Sequence, residues 1–187
     1  MTRSRSLLSS QDWIDAGQDL LREGGITAVK LSPLLARVGV TSGSFYHHFA
    51  DFGAFLDALA DHYGTVHLER ITAAVESDDP SERIREMRRL MEDWAAPDLD
   101  RAMRVWATSY EPAAEAVRRL DGALLRIIES SLAEVGFAPA EARLRALLML
   151  AASAGRSLIF SPWDEDSDVP REALELLLTP SARADPA

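Results

Sequence analysis

The side chains that could do acid–base or metal chemistry in this sequence are few and badly spaced for it. Cysteine is absent, which excludes a thiolate nucleophile and any thiolate metal site. The histidines stand at positions 47, 48, 62 and 67. Two histidines that share a metal ion on one helix stand about three or four residues apart, so adjacent or five-apart pairs point in different directions. The sequence therefore predicts no metal site.

Enzyme motifs are equally scarce. We find no nucleophile elbow, phosphate-binding loop or dinucleotide fingerprint in the sequence. Tyr63 and His67 would share a helix face, but no nucleophile accompanies them. We therefore expect a protein that is not an enzyme and needs no cofactor.

The chemistry that the sequence does favour is nucleic-acid recognition, in residues 32–49. Ser32 followed by Pro33 predicts the start of a helix, and Gly39 suits a chain that leaves that helix with positive φ. Thr41 then caps a second short helix. Two short helices joined by a glycine-containing turn are typical of a helix-turn-helix, whose second helix enters the DNA major groove. The apolar residues expected to pack these two helices together are Leu35, Ala36, Val38 and Val40.

The same stretch resembles the signature of the TetR family (tetracycline-repressor-like regulators). The residues that carry the resemblance are Leu35-Ala36-x-x-Gly39-Val40-Thr41-x-Gly43-Ser44-Phe45-Tyr46-x-His48-Phe49. The resemblance implies phosphate contacts for Thr41, Tyr46 and His48, and places Phe49 in the core. It implies that Ser42, Ser44, Phe45 and His47 face the major groove. With Lys30 and Gly43 added, the predicted DNA-binding set is Lys30, Thr41, Ser42, Gly43, Ser44, Phe45, Tyr46, His47 and His48.

One position departs from the family pattern. The family usually has a phosphate-binding lysine three residues after the phenylalanine, and here that position is Phe52, followed by Gly53. Losing one cation should weaken operator binding and flatten its salt dependence by about one charge. Two functions therefore stay open: a regulator that binds DNA, and a helical protein-interaction module whose head binds DNA weakly or not at all.

The charge of the chain is distributed unevenly. The whole sequence carries −10, while residues 1–50 hold five basic and four acidic side chains, giving +1 and leaving −11 for the remainder. A head with a charge of +1 provides only a weak electrostatic attraction to DNA. The hydrophobic fraction of 47% is nevertheless enough to bury a core.

The secondary-structure elements that hold this head are all predicted to be helices, because their apolar residues recur with helical spacing. We expect a first helix from Ser9 or Ser10 to Gly24, and a long helix from Asp51 to about Glu76. Later helices are predicted near residues 82–95, 99–110, 113–135, 140–160 and 170–178. The fold class is therefore all-α, with a DNA-binding domain at 1–50, an effector-binding and dimerisation domain at 51–180, and a flexible tail at 181–187.

A homodimer is expected, because one recognition helix reads too few base pairs and two-fold symmetry matches a palindromic operator. Two apolar stripes could form a four-helix bundle between subunits, although each could equally be core within one chain. The predicted interface comprises Leu120, Leu124 and Ile127 on one helix, and Leu147, Ala151, Ala154 and Leu158 on the next.

Aromatic and thioether side chains between head and dimer helices favour a pocket for a small apolar or aromatic effector. The predicted lining comprises Tyr63, His67, Met87, Met91, Trp94, Met103, Trp106 and Tyr110. Binding of an effector there would change the distance between the two heads of the dimer, so that the protein would release the operator. Residues 1–6 are followed by no apolar signal segment, and no apolar run could span a bilayer, so we expect a cytoplasmic protein.

Overall fold

The computed structural model describes residues 8–74 and 97–158, together with positions 76, 77, 79, 82, 83, 85, 86 and 89. These residues form seven α-helices and one 3₁₀ turn, with no strand among them, which confirms the all-α prediction. The helices are α1 (Ser10–Gly24), α2 (Leu31–Val38), α3 (Ser42–His48), α4 (Phe52–Ala74), α5 (Pro97–Ala107), α6 (Glu111–Glu134) and α7 (Pro139–Leu158). None of them is long and apolar enough to cross a membrane. The helix predicted at 170–178 and the tail at 181–187 lie outside the described residues, as does most of the helix predicted at 82–95.

The chain divides into two compact units. The first comprises Met1–Val66 with Asp98–Arg119, and the second comprises His67–Pro97 with Leu120–Ala187. The first unit contains the predicted head, the first part of α4, all of α5 except Pro97, and the beginning of α6. The domain boundary predicted at residue 50 stays a prediction.

Helix α1 begins with a reciprocal cap. Ser9 is its N-cap: the Ser9 hydroxyl accepts a hydrogen bond from the Asp12 backbone N–H, and the Ser9 backbone N–H donates to the Asp12 carboxylate at 2.7 Å. These bonds to Ser9 hold the pKa of the Asp12 carboxyl below its usual value. The helix ends at Gly25, whose φ of 64° an L side chain rarely adopts.

The start of α2 differs from the sequence prediction. The N-cap is Lys30 rather than Ser32, so Pro33 lies inside the first turn. A proline is tolerated there because the first N–H groups of a helix have no partner within the helix. Leu34 is the fully buried residue of α2, whereas Ala36, which we expected in the contact between the two helices, is exposed.

An aromatic cluster forms the core of the head. The ring of Phe45 in α3 lies 5.3 Å from Trp13, 5.4 Å from Phe49 and 5.7 Å from Phe55, measured between ring centroids. Trp13, Phe45 and Phe55 are completely buried, and Phe49 is nearly so. Such ring pairs add attraction beyond the burial of their area. The cluster therefore fixes α3 against α1 and the beginning of α4.

In the second unit, α6 and α7 pack through a contiguous apolar core. Its buried members are Ile128, Leu132, Phe137, Ala142, Ala146 and Met149. The Arg145 guanidinium lies over the Phe137 ring at 4.7 Å from the centroid, which covers the turn between the two helices with a cation–π contact. Each helix thus buries one face within the chain.

Candidate nucleic-acid interface

The turn between α2 and α3 has the backbone that the sequence predicted. Gly39 adopts φ 77° and ψ 33°, a left-handed conformation, and its N–H donates to the Leu35 carbonyl at 2.9 Å. The Val40 N–H donates to the same carbonyl at 3.3 Å. Thr41 is the N-cap of α3 with extended backbone, and its side chain makes no capping hydrogen bond. The turn is therefore followed by the short helix α3, whose first residues are exposed.

Most of the predicted DNA-contact residues of α3 lie on one accessible surface. Thr41, Ser42, Gly43 and His47 are exposed, and Ser44 and His48 are half-buried. The Tyr46 side chain is 54% exposed although it is large and partly apolar. Lys30, at the start of α2, is also exposed. We call this set of side chains the α3 surface.

Phe45 must be removed from the predicted groove-facing set. Its side chain is 0% exposed and lies at the centre of the aromatic cluster. A residue at this depth cannot meet a base edge without unfolding the head. The period of the helix explains the error: Phe45 is followed by exposed Tyr46 and His47, so its direction is inward while theirs is outward.

Phe52 belongs to the same cluster, at the position where the family pattern usually has lysine. It is half-buried, with ring centroids 6.1 Å from Phe45 and 5.7 Å from Phe55. Asp51 caps α4 just before it, accepting a hydrogen bond from the Ala54 N–H at 2.8 Å. The aromatic ring therefore contributes packing where a lysine would contribute charge.

The arginines of α1 and α2 are engaged by acidic partners within the head. Arg37 donates to both carboxylate oxygens of Glu23, at 3.0 and 2.5 Å, and also lies 3.6 Å from Asp19. Arg22 pairs with the same Asp19 at 2.8 Å. The hydrogen bond from Arg37 lowers the pKa of the Glu23 carboxyl, so the pair stays ionised at neutral pH. The positive charge of these arginines is thus largely balanced locally.

Comparison with known proteins places this head in a family. Residues 14–59 match the family of bacterial regulatory proteins described as "tetR family". That segment begins in α1 and ends in α4, so it contains the whole helix-turn-helix and every member of the aromatic cluster except Trp13. Over residues 14–59, this chain therefore resembles tetR-family regulatory proteins.

Solved structures agree over most of the chain. A transcriptional regulator from Rhodococcus sp. Rha1 has 25% sequence identity and a TM-score of 0.70, covering 91% of this chain and 92% of that one. Reduced NemR from E. coli has 20% identity and a TM-score of 0.68, with 90% and 92% covered. A tetR-family regulatory protein from Rhodococcus RHA1 has 21% identity and a TM-score of 0.66, with 90% and 94% covered. No curated protein matches the sequence.

Several of the residues predicted to line an effector pocket are buried. Tyr63, Met103 and Trp106 are almost fully inaccessible, and His67 is half-buried. The Tyr110 ring stacks on Trp106 with 5.1 Å between centroids. The predicted Met87, Met91 and Trp94 lie outside the described residues. The described part of the predicted lining is therefore buried or half-buried, with His67 in the second unit and the others in the first.

Sequence reasoning missed a polar network among these aromatic residues. The Tyr63 hydroxyl donates to Asp100 Oδ1 at 2.6 Å, and Arg104 Nε donates to Asp100 Oδ2 at 2.9 Å. Asp100 is buried, and these two donors give each of its carboxylate oxygens a hydrogen bond. The available signal was the four-residue spacing of Asp100 and Arg104 on one helix, which favours an ion pair.

A second hydroxyl of the set also has a carboxylate partner. Tyr110 donates to Asp57 Oδ1 at 2.6 Å. Burial, followed by the hydrogen bond to Asp57, raises the pKa of Tyr110 to about 12. The hydroxyl groups of Tyr63 and Tyr110 therefore both donate hydrogen bonds to carboxylates.

The predicted dimer residues separate into two groups. Leu120 and Leu124 are buried within the chain, so the intrachain alternative is correct for them, and Ile127 is half-buried against the core of the second unit. Leu147 and Ala151 are exposed on α7, and Ala154 is half-buried. The side chain of Leu158 lies outside the described residues. Leu144, Leu147 and Leu148 are between 46 and 58% exposed, so α7 presents an apolar face that this chain does not cover among its described residues.

Proposed function

We propose that this protein is a ligand-responsive repressor of the TetR family that binds a palindromic operator as a homodimer. The observation that carries the DNA-binding part is the α3 surface. Hydroxyl, imidazole and phenol groups stand exposed on α3, while Phe45 of the same helix anchors it in the aromatic cluster. Rigidly held polar side chains on a short second helix are what major-groove recognition requires.

The exposed face of α7 supports the homodimer. Leu144, Leu147 and Leu148 place large apolar surface in contact with water, where it destabilises a monomer and favours association. Small residues continue the face at Ala151 and Ala152, both exposed. A two-fold pairing through this face would bring the same residues of both copies together. Two heads would then read two half-sites.

The effector part of the proposal rests on the composition of the first unit around α5. Met103, Trp106 and Tyr110 provide an apolar and aromatic environment, and Asp100 with Tyr63 provides oriented polar groups. A small aromatic molecule that displaces part of this packing would stabilise a different position of α4. Operator release would follow from changed head spacing. The predicted cytoplasmic location follows from the DNA partner and stays a prediction.

One observation favours the alternative, an interaction module with a weakly binding head. Between Arg37 and Arg70 the sequence has no lysine or arginine, and Arg37 itself is paired with Glu23. Counterion release by cationic side chains supplies most of the affinity of non-specific binding. A repressor would therefore need specific contacts with its operator to supply the affinity that cationic side chains do not.

A selection experiment with a salt titration distinguishes the two functions. Duplexes are enriched from a random-sequence library with the full-length protein, and their dissociation constants are measured at increasing salt. Tyr46→Phe should weaken binding by roughly fivefold per head, equally for all operator variants, because a neutral phosphate contact carries no sequence information. Its salt slope should not change, since the lost group is uncharged.

Lys30→Gln is the matched charged variant. It should lower the salt slope by about 0.9 per head if Lys30 contacts a phosphate. A Tyr46→Phe effect confined to one base position would contradict the phosphate role of Tyr46. Failure to enrich any sequence, or binding that does not respond to salt, would reject the repressor and favour the interaction module.

A further inference from the structure

The C-terminal end of α3 carries the head's imidazole groups in a region without permanent cations. From Val38 through Glu69 the sequence contains no lysine or arginine. His47 and His48 are adjacent there, with ring centroids 5.4 Å apart. His47 is exposed and His48 half-buried. Imidazole is the side-chain group whose charge ordinarily changes between roughly pH 5 and 8.

Among the described residues, the arginine nearest to α3 in the sequence already has an acidic partner. Arg37 at the end of α2 is bound to Glu23, as described above. Asp12 of α1 lies close enough to His48 for their charges to interact. Asp51, just before α4, is acidic and exposed, and Lys30, just before α2, is basic and exposed. The elements packed against α3 also carry the acidic Asp15, Asp19 and Glu23 of α1 and Asp57 and Asp61 of α4, together with Arg22 and His62.

We propose that operator binding by this head is coupled to proton uptake, with His47 and His48 in their imidazolium forms supplying the phosphate contacts that lysine or arginine would otherwise supply. This proposal rests on the DNA-binding function proposed above. DNA phosphates attract the imidazolium form and not the neutral ring, so bound DNA favours protonation and protonation favours bound DNA. The affinity for the operator then rises as the pH falls.

The carboxylates and cations around the two histidines would not produce the same dependence of affinity on pH. Carboxylic, ammonium and guanidinium side chains ordinarily keep their charge between pH 6 and 8. The bonds from Ser9, together with the nearby His48, lower the pKa of Asp12, so Asp12 is ionised throughout this range. The backbone of DNA does not titrate there either. A change of affinity over this interval therefore reports on imidazole.

The test measures binding of the full-length protein to a duplex that it has itself selected from a random library. Dissociation constants at about pH 6 and pH 8, each over a salt series, should differ by about tenfold per head, because a charge-assisted hydrogen bond is worth about one factor of ten or more. The salt slope should be steeper at the lower pH by about 0.9 for each imidazolium gained.

Substitutions assign the effect to its residues. His47→Gln keeps a polar group on an exposed position, should leave the fold unchanged, and should remove at least half of the pH dependence. His47→Lys should bind tightly at both pH values, because its charge is permanent there. His62→Gln is the matched control: His62 lies on α4, contacts Gln11 at 3.2 Å and is not among the predicted DNA contacts, so the pH dependence of this variant should equal that of the parent protein.

The outcomes separate this proposal from the function on which it rests. Specific binding with equal affinity at both pH values would overturn proton coupling while leaving the repressor intact. A pH dependence that persists in His47→Gln and in the double variant with His48→Gln would also overturn it, since another group would be responsible. Absence of specific binding at either pH would overturn the repressor function and this proposal with it.

Discussion

At the scale of single residues, the head combines aromatic anchors with small polar groups. Phe45 points inward and Tyr46 outward, although they are neighbours in the sequence. Arg37 is charged but committed to Glu23, and Phe52 fills space where a cation was expected. The number of basic residues in the head therefore overstates the charge that a phosphate would meet.

Gly43 offers a test at this scale. It is the second residue of α3, its φ is not in the left-handed region, and a Cβ added there would meet nothing within 4 Å. Neither strain nor packing in the free protein requires glycine, although alanine favours a helix by up to about 1 kcal/mol. We expect Gly43→Ala to leave the protein as stable or more stable, and to weaken operator binding about tenfold, because the proposed interface would bring DNA close to the backbone there.

Gly122→Ala on α6 is the control for that prediction. A Cβ there would meet the flexible end of Arg126 at 3.5 Å, an ordinary contact, so this variant should gain stability without changing DNA affinity. Thermal unfolding and operator titration check both variants. Unchanged operator affinity in Gly43→Ala would show that the backbone at this position does not face DNA.

At the scale of elements, the head depends on how closely α1 crosses α4. A Cβ at Gly17 would come within 2.7 Å of the Phe55 ring and 3.3 Å of both Leu59 methyl groups. All three residues are buried, so there is no free space to accept a methyl group. The crossing, together with the aromatic cluster, sets the position of α3.

We therefore expect Gly17→Ala to destabilise the protein by about 1–3 kcal/mol, because overpacking at the crossing outweighs the better helix propensity of alanine. Chemical denaturation measures the free energy of unfolding. The double variant Gly17→Ala/Phe55→Leu should lose less stability than the sum of the two single changes, since leucine leaves room for the methyl group. A more stable Gly17→Ala protein would mean that the crossing is looser than the structure shows.

At the scale of the whole molecule, negative charge is concentrated outside the head and apolar surface is concentrated on α7. The −11 of residues 51–187 would repel DNA if it lay near the operator. The apolar face formed by Leu144, Leu147 and Leu148 is the strongest indication of how two copies would associate. Affinity for a palindrome then depends on association as well as on the α3 surface.

Leu147→Asp tests that association. Burying one leucine contributes about 1.5–3 kcal/mol, and two-fold symmetry would double the loss, so dimerisation should weaken by roughly a hundredfold or more. The operator affinity should fall with it, while the helix content stays the same because the position is exposed. Val105→Asp on α5, which is 55% exposed, is the control with equal apolar exposure. Sedimentation measures the oligomeric state, and a Leu147→Asp protein that still dimerises would exclude this face as the interface.

The sequence by itself determined the features that depend on neighbours a few residues apart. A cap at Ser9 or Ser10, the positive φ of Gly39, the N-cap position of Thr41 and the all-helical fold follow from local backbone preferences, so local patterns were sufficient to predict them. The exposure of most α3 side chains was also largely predictable, because the family pattern fixes their spacing.

Only the tertiary structure decided which side of each apolar stripe is buried and which charges are balanced. Phe45, Leu120 and Leu124 are apolar residues whose direction depends on helices distant in sequence, as does the pairing of Tyr63 with Asp100, 37 positions apart. Long-range packing and ion pairing leave no fixed spacing in the sequence. The same reason explains why the pairing of Arg37 with Glu23, 14 positions apart, was not predicted from the sequence.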